Sequence, residues 1–95
     1  MRVASREQVY NALDGERDYQ DSKWNEDTTL SGGRHSPAEW LVYMQDYLTQ
    51  AMHQASRYAD PVSRDMVLRT IRKITAMGVA CMEQNGALSR ETDQQ

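Results

Sequence analysis

The chain has little with which to staple or span. Cys81 is its one cysteine, so no internal disulfide can form. No apolar run approaches the roughly 18 residues that cross a bilayer. Arg at position 2 and a closing Asp93-Gln94-Gln95 offer no lipidation signal. With no disulfide and no signal peptide, the expected place is the cytoplasm, that of a bacterial host if the chain is phage-encoded. A basic excess is lacking too: 11 Lys and Arg stand against 14 Asp and Glu, a net charge of −3. Proteins that coat nucleic acid carry the opposite balance, and bulk nucleic acid is not expected as a partner. Only 39% of the 95 residues are hydrophobic and mean hydropathy is −0.83, a thin supply for a core. One small domain is expected, with an oligomer sharing apolar surface as the natural supplement.

Proline is scarce as well, and both copies fall where a helix begins. In Ser36-Pro37-Ala38-Glu39 the serine can accept from orphan first-turn amides, and Glu39 can reach back to the Ser36 amide. The spacing predicts a helix over 37–58. Its apolar arc holds Trp40, Leu41, Tyr43, Met44, Tyr47, Leu48, Ala51, Met52, Ala55 and Tyr58. That is half the circumference and calls for more than one packing partner. Asp60-Pro61 opens a second helix, over 61–85, ending before Asn85-Gly86. Its arc is wider and leaves a polar strip of Arg69, Arg72 and Lys73, with Ala76 and Ala80. The short linker predicts a long antiparallel hairpin.

The N-terminal region, 1–24, starts with the capping pattern Ser5-Arg6-Glu7-Gln8. Val9, Ala12 and Leu13 share a face that continues as Glu16, Gln20, Lys23 and Trp24. Either the helix stops near Gly15, or this face lines a polar cavity. Residues 25–36 read as a loop and 86–95 as a frayed tail. The fold class expected is all-α: a short N-terminal helix and a long antiparallel hairpin, assembled as a homo-oligomer.

Candidate chemistry is sparse. Arg69, Arg72 and Lys73 suit phosphate, although composition alone favours a solvated helix strip. Gly32-Gly33-Arg34-His35, before a helix N-terminus, suits an anion, although Ser36 already claims the amides and no Walker Lys-Ser/Thr follows. Trp40, Tyr43 and Tyr47 recur at helical spacing and read as core or interface. Tyr10, Tyr19 and Trp24 lie among charged residues and are better placed to stack a base. His35, His53 and Cys81 have no zinc spacing, and no metal or other cofactor is expected.

Two resemblances add to this. Residues Glu16-Arg17-Asp18-Tyr19-Gln20-Asp21-Ser22-Lys23-Trp24, with Glu39-Trp40 and Arg72-Lys73-Ile74, look like short proteins of tailed bacteriophages. Some of those are labelled MazG-like, after helical pyrophosphatases that hold magnesium with Glu-x-x-Glu pairs; this chain has no such pair, only Asp14, Asp18 and Asp21 nearby. Pro61-Val62-Ser63-Arg64-Asp65, with Leu68, resembles the second long helix of the phage sponge proteins that counter CBASS and Thoeris defence. That family continues with an acidic pair and Trp-Ala-Asn, where this chain has Arg72-Lys73 and Gly78-Val79-Ala80. The resemblance implies a homo-oligomeric binding protein that sequesters a small anionic nucleotide ligand, of the cyclic oligonucleotide or cyclic ADP-ribose type, without cleaving it. The ligand-binding residues expected are Tyr10, Tyr19, Lys23, Trp24, Arg34, His35, Arg64, Arg69, Arg72 and Lys73. The alternatives are a divergent magnesium-dependent nucleotide pyrophosphatase and a structural or protein-inhibiting phage factor.

Overall fold

The computed structural model describes residues 2–57 and 61–93, and the side chains of all of these but 54–57, 61–63 and 92. The described chain is helical with no strand: α1 is Arg6–Lys23, α2 is Pro37–Arg57 and α3 is Pro61–Asn85, followed by one 3₁₀ turn at Arg90–Thr92. The expected cap Asp60 and the side chains of Ala55, Tyr58, Val62 and Ser63 lie outside the described residues. None of the helices is long and apolar enough, over the described residues, to cross a membrane.

Both capping patterns close as written in the sequence. The Gln8 amide donates to Ser5 Oγ at 3.1 Å, and Gln8 Oε1 accepts from the Ser5 amide at 2.8 Å. The Glu39 amide donates to Ser36 Oγ at 3.2 Å, and Glu39 Oε1 accepts from the Ser36 amide at 2.9 Å. Those bonds from Ser36, with the neighbouring His35, hold the Glu39 carboxyl below its usual range. A lowered folded pKa stabilises the fold fully above the usual glutamate range, and that contribution fades as pH falls through the lowered value. On acidification from about pH 6 to about pH 3, Tm of the wild type should therefore drop further than Tm of Glu39→Gln. Parallel acid profiles for the two proteins would remove Glu39 from the cap.

α1 does not stop at Gly15. It runs to Lys23, where the Trp24 amide still donates to the Gln20 carbonyl at 2.8 Å. Thr28 then ends it, with its hydroxyl donating to the Lys23 carbonyl at 2.6 Å and accepting from the Asn25 amide at 2.9 Å. The polar continuation of the Leu13 stripe is buried: Glu16 is 8% and Gln20 2% exposed. It packs on α3, the central element, which touches both α1 and α2.

The polar strip of α3 is solvated only in part, with Arg69 and Arg72 exposed. Ala76 and Ala80 on that strip are buried. Arg72 Nε donates to Glu16 Oε1 at 2.8 Å, and Gln20 Nε2 donates to the Lys73 carbonyl at 3.1 Å. Further along, Arg17 Nε donates to Glu83 Oε1 at 2.6 Å. Three hydrogen bonds thus join the polar faces of α1 and α3, which their separate periodicities do not reveal.

Against α2, contacts climb α2 as they descend α3: Trp40 with Gln84, Met44 with Gly78, Tyr47 with Lys73. Trp40, Met77 and Ala80 form the buried cluster, with Met44, Tyr47 and Cys81 packed around it. Ala51 of the α2 arc is buried as well, whereas Leu41, Leu48 and Met52 are exposed.

Candidate ligand-binding site

Four of the expected site residues converge. Tyr19 from α1, and Arg69, Arg72 and Lys73 from α3, line one open cleft of about 500 Å³ with Ala12, Gly15, Glu16 and Thr70. Gly15 keeps the α1 wall low: a Cβ there would meet nothing within 4 Å. The cleft thus holds three cations against one carboxylate, and that carboxylate is committed. Glu16 is buried and takes its bond from Arg72, whose own side chain remains 45% exposed. Arg72 is half structural, with the rest of its donor fork facing outward. Lys73 is half-buried, and its ammonium lies 4.9 Å from the centroid of the Tyr47 ring. Arg69 is exposed and has no ion-pair partner among the described residues. Such a cleft concentrates positive potential on a chain of net negative charge.

The other expected residues stand elsewhere. The Lys23 ammonium lies over Tyr19 at 5.8 Å and over Trp24 at 5.4 Å, at the mouth of the loop. Trp24 and His35 belong to a second, aromatic cavity. Arg34 lines hollows between the loop and the ends of α1 and α3, away from Arg69 and Arg72. Tyr10 is exposed on α1 and lines neither the basic cleft nor the aromatic cavity. Arg64 is exposed beside Asp65, about 12 Å of helix before Arg72.

In and beside the glycine-rich loop four amides are already used, which counts against an anion cradle there. The Gly32 amide donates to the Thr29 carbonyl, Arg34 to Ser31, His35 to Gln84 Oε1 and Ser36 to Glu39 Oε1. A carboxylate of the chain itself occupies the α2 N-terminus, where an anion would otherwise sit.

Gln84 and Asn85, which the sequence reading did not single out for the site, fix that loop. Gln84 Oε1 accepts from the His35 amide at 3.1 Å and from Trp40 Nε1 at 2.9 Å, while its Nε2 donates to the Gly33 carbonyl at 2.9 Å. Asn85 Nδ2 donates to the His35 carbonyl at 3.1 Å. Nothing in their local sequence marks them, since these partners lie 44 to 51 positions away. Glu16 and Gln20 were legible as the polar continuation of an apolar stripe.

Arg17 is the most enclosed cation on α1. Burial pulls its pKa down, but hydrogen bonds and charge from Glu83 and Asp21 outweigh it, and the net direction is up. Asp21 is thereby engaged, at 2.8 Å from Arg17 Nη2. Among the described residues, no three of His, Cys, Asp and Glu converge into a group that could hold a metal ion. Protein-family models, curated proteins and solved structures give no match to this chain. The fold and the cleft define an all-helical protein with a basic groove between two of its helices.

Proposed function

We propose that the protein binds a small phosphate-bearing ligand, of the cyclic oligonucleotide or cyclic ADP-ribose type, and holds it intact, as a phage anti-defence sponge would. The observation that supports this most is the α1/α3 cleft, where Arg69, Arg72 and Lys73 stand together beside Tyr19. Arginine offers phosphate a fork of donors and lysine a point charge. In this reading α2 and α3 form an antiparallel hairpin, and a homo-oligomer covers the apolar residues that α3 leaves exposed on α2. The negative net charge keeps long nucleic acid away while the cleft accepts a compact anion.

Arg69 is the cleanest probe, because it holds nothing else in place. Arg72→Ala would also strand the Glu16 carboxylate, and lost stability would mix with lost affinity. Arg69→Ala should keep the wild-type Tm and weaken retention of cyclic nucleotides in equilibrium dialysis by about tenfold or more, the effect of one hydrogen bond to a charged group. The panel is cyclic dinucleotides, cyclic trinucleotides and cyclic ADP-ribose isomers. Unchanged retention in Arg69→Ala, or no retention of any of these by the wild type, would contradict the assignment.

A further inference from the structure

A second cavity is separate from the basic cleft and shares no lining residue with it. It measures about 310 Å³ and is walled by Trp24, His35, Trp40, Tyr43, Tyr47 and Met77. These residues come from the end of α1, the loop, α2 and α3, so the cavity exists only in the folded chain. Its size falls at the low end of the roughly 300–1,000 Å³ of small-molecule sites. His35 packs edge-on to Trp40 at 5.1 Å between centroids and tilted to Tyr43 at 4.8 Å, which sets one corner. Tyr43 stays 42% exposed at the rim. Protein cores close such space; this one is left open among aromatic faces.

Aromatic walls take either an organic cation or a flat ring. The charges decide between them. No carboxylate lines the cavity. The Lys73 ammonium already lies over Tyr47, and the Lys23 ammonium over Trp24 at 5.4 Å. A cationic guest would compete with ammonium groups already placed over two of the wall rings, whereas a neutral ring joined to an anion would not. Lys73 lines the basic cleft and reaches the Tyr47 ring, so the link between the two spaces runs through that one contact.

We infer that this cavity is a subsite for a flat heteroaromatic ring, a nucleobase, stacked among Trp24, Tyr43 and Tyr47. The attachment of that ring to a phosphate in the neighbouring cleft rests on the function proposed above; the ring subsite itself does not. Trp24 and Trp40 are the only two tryptophans of the chain, so their fluorescence reads this cavity directly. The probes are adenosine, guanosine, cytidine and uridine, which carry no phosphate, with inorganic pyrophosphate and tetramethylammonium alongside.

At least one nucleoside should quench the emission saturably. Tyr43→Leu, a change at a partly exposed position, should weaken that nucleoside by about tenfold, the size of one stacking contact. Arg69→Ala should leave it unchanged. Nucleoside binding with no pyrophosphate binding would sustain the ring subsite and count against the anion cleft. No saturable response to any nucleoside, equal affinity in Tyr43→Leu, or a response to tetramethylammonium alone would overturn the inference.

Discussion

Gly33→Ala should lower Tm by roughly 12 °C or more, the equivalent of about 3 kcal/mol for a domain of this size. Gly33 has φ +77°, a conformation that strains any residue with a side chain. A Cβ there would also stand 2.5 Å from the Trp24 carbonyl oxygen, a backbone atom that cannot swing aside. Relief requires the loop to separate from the end of α1, which opens the aromatic cavity. Emission from Trp24 should therefore shift together with Tm. Gly15→Ala makes the contrast, since its Cβ meets nothing and its place is inside α1. That variant should gain about 0.5–1 kcal/mol from helix propensity alone. Differential scanning fluorimetry of both variants checks the pair. A wild-type Tm for Gly33→Ala would show that the loop is not packed on Trp24.

Gln84→Leu should cost about 2–4 kcal/mol, although leucine is similar in bulk and favours helix. The amide side chain answers three partners at once: the Gly33 carbonyl, the His35 amide and the Trp40 indole N–H. Trp40 is 6% exposed, so its N–H would lose its partner with little water to replace it. Gln84→Glu keeps an acceptor for His35 and Trp40 but removes the donor to Gly33, and should fall between the two. Urea unfolding, followed by tryptophan emission, reads the order directly. Equal midpoints for Gln84→Leu and the wild type would mean that the clamp contributes nothing to holding the loop.

These two positions also show how far the sequence could be read. The helices were legible because their signals are local: Ser5 with Gln8, and Ser36-Pro37 with Glu39, write their starts within four residues. Contacts between helices were not. Arg69 and Arg72 are exposed, as a solvated strip would be, but α3 alone gives no hint that Glu16 will bond Arg72 or Gln20 the Lys73 carbonyl. Ala76 and Ala80 fell on the polar strip of α3, yet both are buried. The site followed the same division. The residue types for an anion site stood out, but which of them meet depended on α1 continuing past Gly15. Arg34 and Arg64 are equally basic and fall elsewhere, while Trp40, Tyr43 and Tyr47, spaced like a core stripe, form part of a cavity because α3 covers only part of α2.

The account rests on a ligand held without being changed. The most direct measurement is a depletion and recovery assay. Purified protein is incubated with cyclic dinucleotides, cyclic trinucleotides and cyclic ADP-ribose isomers, with and without magnesium. Free ligand is quantified after filtration, and again after the protein is denatured by heat. Binding in the α1/α3 cleft predicts that one ligand disappears from the filtrate, with or without magnesium, and returns chemically intact on heating. Recovery of a cleaved product, dependent on magnesium, would contradict it and point to hydrolysis instead.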